Sequence, residues 1–168
     1  MTKTLRLGAA GIAMFAALGV SSAASAQTTV DADARAEILN PLTLSADGQL
    51  DFGRIISDGA GTVQLYSAAG NVCAGDLICL DDGTVPTFTV GGTDGREVTV
   101  TVPTTGTISI GGGTGFDEMD LTAVAASSGS GTLTGGEATF TLGATLNVKD
   151  GQNAGEYEGD ITVQVDYS

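Results

Sequence analysis

Residues 140–148 read Phe140-Thr141-Leu142-Gly143-Ala144-Thr145-Leu146-Asn147-Val148, with an apolar residue at every second position. A helix needs apolar positions three and four apart. A period of two instead sets one row of side chains on a core and the other in water, so this stretch predicts a long strand. The same period recurs on both sides of it. Ile161, Val163, Val165 and Tyr167 form the last row, and Val98, Val100 and Val102 alternate with threonines. Near the start, Val30, Ala32, Ala34, Ala36 and Ile38 alternate with Asp31, Asp33, Arg35 and Glu37. Shorter strands are expected over 42–44, 50–56, 62–66, 87–90, 107–110 and 119–124. Turn pairs punctuate them at Asp47-Gly48, Asp58-Gly59, Asp82-Gly83, Asp94-Gly95 and Asp150-Gly151. Many short strands with regular turns and no helical period predict an all-β chain folded as a β-sandwich.

The first 26 residues read differently. Lys3 and Arg6 precede the apolar run from Leu7 to Val20, and Ala24-Ser25-Ala26 supplies a small-residue cleavage pattern. This predicts a signal peptide over 1–26 and a mature start at Gln27, against the competing reading of an uncleaved anchor. The remaining 142 residues fit one domain burying roughly two-thirds of its unfolded surface. No later apolar run reaches spanning length, so the mature chain is not expected to be membrane-embedded. Two of the six Lys and Arg lie in the leader and all twenty acids lie after it, giving a mature charge of −16. That charge repels nucleic acid and anionic lipid heads, so neither is an expected partner.

Residues 27–39 are set off as an arm from a body over 40–168, because Pro41 lacks an amide hydrogen and interrupts a ladder. Periodicity leaves two readings open. The arm is the first strand of its own sandwich, or it is a strand that completes the sheet of another copy.

Little in the chain points to catalysis. There is no histidine, which removes nucleophilic triads, and no Gly-rich phosphate loop with its lysine. Carboxylate pairs such as Asp81-Asp82 and Asp117-Glu118 are expected by chance among twenty acids, and no tryptophan lines a sugar cleft. No enzyme and no cofactor are expected. Gly112 to Asp120 fits the calcium nonapeptide of parallel β-rolls once. A lone copy lacks the neighbouring turn that completes such a site, so a Gly-rich turn leading into the strand at Met119 is the expected form. The two thiols, Cys73 and Cys79, belong to a chain headed for an oxidising compartment and predict a local disulfide.

The C-terminal run Gly155-Glu156-Tyr157-Glu158-Gly159-Asp160-Ile161-Thr162-Val163-Gln164-Val165-Asp166-Tyr167 resembles the closing strand of chaperone–usher pilins, with Gly155 fourteenth from the end and Tyr167 penultimate. Leu50-Asp51-Phe52-Gly53 is similar to the L-x-F-G of spore-coat-protein-U-like pilins. More of the chain resembles the bacterial domain-of-unknown-function family numbered 4402. The matching pieces are Pro41-Leu42-Thr43-Leu44, Leu50 to Gly53, Phe88-Thr89-Val90-Gly91-Gly92, Leu142 to Val148 and Gly155 to Gly159.

The pilin resemblance implies an immunoglobulin-like sandwich that lacks one strand and is completed by donor-strand exchange. The arm residues Val30, Ala32, Ala34, Ala36 and Ile38 would enter a neighbouring copy or related subunit. A periplasmic chaperone would first pair with the C-terminal strand carrying Gly155, Ile161, Val163, Val165 and Tyr167, and an outer-membrane usher would oversee the exchange. The implied product is a fibre on the cell surface, reached through the inner membrane and periplasm. Two features depart from archaic pilins: no cysteine stands near Leu39-Asn40-Pro41, and three of the five arm residues are alanine. The alternative is a self-completed, monomeric secreted sandwich that binds a surface ligand such as a glycan through its acidic loops.

Overall fold

The computed structural model describes residues 28–168. The expected leader, 1–26, lies outside them. The chain divides after Ala36 into two units. In the first, residues 28–36 form no strand and are exposed. The second, Glu37–Ser168, holds β1 (Thr43–Asp47), β2 (Ile55–Leu65), β3 (Val72–Cys79), β4 (Thr87–Gly91), β5 (Glu97–Thr101) and β6 (Thr105–Ser109). A 3-10 turn, Gly115–Asp117, leads into β7 (Glu118–Ala126), followed by β8 (Ser130–Thr132), β9 (Glu137–Val148) and β10 (Gln164–Tyr167). The fold is all-β: among the described residues there is no α-helix, and every strand pairing is antiparallel.

The organising strand is β9, the one that opens the sequence argument. Its first half pairs with β4 (Phe88↔Phe140), and β4 pairs onward to β1. Its second half lies between β2 (Val63↔Leu146) and β7 (Leu121↔Leu146), with β3 and β6 outside them. The change of partner falls at Gly143. A Cβ there would stand 2.6 Å from both the Leu65 carbonyl oxygen and the Tyr66 Cα, so glycine lets β9 pass under the end of β2. A separate three-stranded sheet runs β10-β5-β8.

Two hydrophobic clusters result. The larger gathers Phe52, Val63, Leu65, Leu77, Met119, Leu121, Val124 and the second half of the β9 row. The smaller holds Val90, Val98, Leu133 and Phe140, with Leu42, Val165 and Tyr167 against it. Phe88 packs on both, its ring stacked on Phe140 with centroids 5.1 Å apart. Each fully buried Leu in these clusters contributes about 1.5–3 kcal/mol over an exposed one.

The β2–β3 ribbon is folded over. A straight strand would separate Cys73 and Cys79 by about 20 Å, yet their Cα atoms are 5.8 Å apart and their sulfurs are bonded. The bend lies where the register shifts between Ser57 and Gly61, opposite Gly75, whose φ is +80°. The expected disulfide is therefore present, but it closes a bent strand rather than a loop between strands. Strand β7 carries a second irregularity between Thr122 and Ala125, with Ala123 at φ +48°. This bulge turns Val124 into the core.

Several expected boundaries move. Asp58-Gly59 lies inside β2 at its bend, not in a turn between strands. Residues 50–54 are a turn rather than a strand: the Asp51 carboxylate accepts from the Gly53 amide at 2.8 Å, which sets Phe52 into the core. The last strand begins at Gln164, not Ile161. β3 and β8 were not among the expected strands.

Candidate assembly site at the C-terminal edge

Among the described residues strand β10 pairs with β5 alone, through Gln164↔Thr101 to Tyr167↔Val98, and its outer edge carries no strand partner. The chain reaches it from β6, where Ser109 and Glu158 exchange backbone hydrogen bonds of 2.8 and 3.1 Å. Between these anchors the expected alternation holds. Ile161, Val163, Val165 and Tyr167 are each half-buried, and the residues between them are exposed. Ile161 and Val163 pack on the larger cluster, and Val163, Val165 and Tyr167 on the smaller. The four side chains therefore share one core-facing row, the last two of them on the open edge of β10. Among the described residues β1 is likewise an edge, paired only with β4, and its Leu44 is 40% exposed.

The motif glycines make close approaches possible. A Cβ on Gly155 would stand 2.5 Å from the Ile110 side chain. One on Gly91 would stand 2.6 Å from the Thr43 hydroxyl, and one on Gly92 would stand 2.5 Å from the Tyr167 phenol oxygen. That oxygen donates to the Asn40 carbonyl at 2.7 Å and accepts from the Thr93 amide at 2.8 Å. The Thr93 hydroxyl in turn accepts from the Asn40 amide at 2.7 Å. Asn40 and Thr93 were not singled out from the sequence. The signal was a tyrosine at the end of a core-facing row, whose hydroxyl needs a partner once its ring is packed.

Of the arm residues, Val30, Ala32, Ala34 and Ala36 belong to the first unit, where Val30 is 88% exposed. Ile38 belongs to the second unit and is 96% exposed. The structure brings none of the five into a strand.

The acidic loops were the other sequence candidate. In the nonapeptide segment, the Asp117 carboxylate accepts from the Asn153 amide group at 2.8 Å. The Lys149 ammonium donates to the carbonyls of Gly115 and Glu118, and it lies 3.7 Å from Asp120. These oxygens already face a tethered cation. Among the described residues no group of three acidic or sulfur side chains is placed to hold a metal. One carboxylate is electrostatically distinct. The Arg54 guanidinium donates to both oxygens of Asp81, at 2.6 and 2.8 Å, and these hydrogen bonds hold the Asp81 carboxyl below its ordinary range. The pair clamps the turn bearing Phe52 and is open to solvent.

A family model described as "Domain of unknown function (DUF4402)" matches residues 42–167, from the residue before β1 to the end of β10. No curated protein and no solved structure matches the chain.

Proposed function

The chain belongs to the DUF4402 family, and from that premise we propose that it is a structural subunit of a bacterial surface fibre assembled by strand exchange between copies. The observation that carries this reading is the β10 edge. Ile161, Val163, Val165 and Tyr167 are half-buried in one row, and among the described residues no strand lies on the outer side of β10, which carries the last two of them. An incoming strand gains main-chain hydrogen bonds along such an edge and sets alternate side chains against the core. The donor is the alternating segment Val30, Ala32, Ala34, Ala36 and Ile38, which takes part in no strand. Before exchange, the same edge is the surface a periplasmic chaperone covers, and passage at an outer-membrane usher replaces it with the arm. An open β edge left uncovered invites unwanted pairing, which gives such a chaperone its purpose. The pilin likeness rests on the C-terminal motif and the L-x-F-G turn.

Electron microscopy and unboiled gels of material sheared from the cell surface test the proposal. Filaments carrying this chain, and a ladder that collapses on heating, are expected. A wild-type chain recovered only as a monomer overturns it.

A further inference from the structure

Residues 37–41 are the last stretch before the body, and they are tied down rather than loose. Two contacts fasten Asn40: its carbonyl accepts from the Tyr167 phenol at 2.7 Å, and its amide donates to the Thr93 hydroxyl at 2.7 Å. The Thr93 amide closes the ring by donating to the same phenol at 2.8 Å. Three residues earlier Glu37 pairs with Arg96, on the same β4–β5 turn as Thr93. Leu39 is half-buried, and Pro41 fixes its own φ. The space for this arrangement depends on Gly92, where a Cβ would collide with the phenol oxygen at 2.5 Å and with the Leu42 and Leu133 methyls at 2.9 Å.

We infer that Tyr167 is a positioning residue for the arm: with Thr93 and Gly92 it holds residues 37–41 on the β4–β5 turn, so the segment ahead of them starts from a fixed point at the end of β10. The strand edge that accepts a neighbour and the root of the segment that is donated to the next are thereby joined through one side chain. That purpose rests on the fibre reading, whereas the clamp stands on its own contacts. The ion pair is the weaker tie, because both side chains are open to water and screened by salt. The phenol contacts use a ring already anchored in the smaller cluster, so they cost little additional ordering.

The test uses the mature protein, held dilute and monomeric, with spin labels on Ile38→Cys and Gln64→Cys. Both positions are exposed, and the native cysteines are bonded to each other and do not take the label. Pulsed dipolar spectroscopy should give one narrow distance in the otherwise wild-type chain. Tyr167→Phe keeps the ring, Thr93→Val keeps the shape, and each should broaden the distribution. In Tyr167→Phe the Thr93 amide should exchange its hydrogen about tenfold faster, the scale of one lost hydrogen bond, while amides in the second half of β9 keep their rates. Equal widths in all three proteins, or a broad distribution in the parent, overturn the inference. The measurement is independent of polymerisation. A clamped chain that never forms filaments refutes the fibre and keeps the clamp, and filaments built from chains with broad distances do the reverse.

Discussion

Gly61 and Gly75 face each other as register partners at the corner of the folded β2–β3 ribbon. Gly75 has φ +80°, and a Cβ on it would stand 2.6 Å from the Ala60 carbonyl oxygen. A Cβ on Gly61 would overlap the Ala74 carbonyl and the Leu77 side chain. The corner thus exists because neither residue carries a side chain. Gly75→Ala combines a left-handed backbone with a clash and should cost at least about 1–3 kcal/mol in chemical unfolding. Gly61→Ala should cost a similar amount through the clash alone. A loss below about 0.5 kcal/mol at both, the range of an ordinary surface substitution, would show that the corner relaxes freely.

The disulfide fastens the same corner. Replacing Cys73 and Cys79 with serine should lower stability by about 2 kcal/mol, the chain-entropy value for so short a loop, and leave the far-ultraviolet spectrum of a β protein. Alkylation without reductant should modify neither cysteine. Two reactive thiols in protein taken from the cell would contradict the bond.

The Arg54–Asp81 pair makes a pH prediction of definite sign. Asp81 has its carboxyl lowered from the ordinary 3.8 in the folded chain, chiefly by the hydrogen bonds from Arg54. Its contribution is therefore complete above about pH 4 and is lost as pH falls through the lower folded value. Melting temperatures of wild type and Asp81→Asn should differ near neutrality and converge on acidification. The difference is small because both groups are open to solvent, and it should shrink further at high salt. A gap that widens as pH falls would reverse the assignment.

Ala34 separates folding from assembly. It lies in the exposed first unit, so Ala34→Asp should leave the melting temperature of the monomer unchanged. If the arm enters an apolar groove of another copy, the new carboxylate loses its water there, at a cost on the order of several kcal/mol. The variant should accumulate as folded monomer and fail to form filaments. Filaments of normal length and heat resistance would remove Ala34 from the buried row.

The sequence made the strands with strong alternation legible, because their period-two rows are set by burial on one face. The β9 row and the row from Ile161 to Tyr167 lie where that pattern puts them. β3 was illegible: Val72 to Cys79 contains Gly75 and Asp76, and its bend breaks the alternation that reveals a strand. Asp58-Gly59 carried the chemistry of a hairpin turn, yet tertiary packing uses it as a bulge within one long strand. At the candidate site, the core-facing row was readable from spacing. The clamp was not, since it joins Asn40 to Tyr167 across nearly the whole body, and no local pattern reports such a contact. The arm showed a strand-like period, but a period specifies a face and not the partner that will cover it.

The position of β9 in the chain has a kinetic consequence. Its partners β2 and β4 come early in the sequence, and pairs such as Leu65↔Ala144 and Thr87↔Thr141 bridge long stretches of intervening chain. A polypeptide made from its N-terminus therefore holds β2 and β4 without their central neighbour until residue 148 has emerged. Loop closure of that span precedes the contacts that reward it, so folding belongs to the slow, millisecond-to-second class of β proteins. Throughout that interval Val63, Leu65 and Phe88 lack the β9 side chains that pack on them, and the nascent chain is most prone to aggregate until residue 148 has been made.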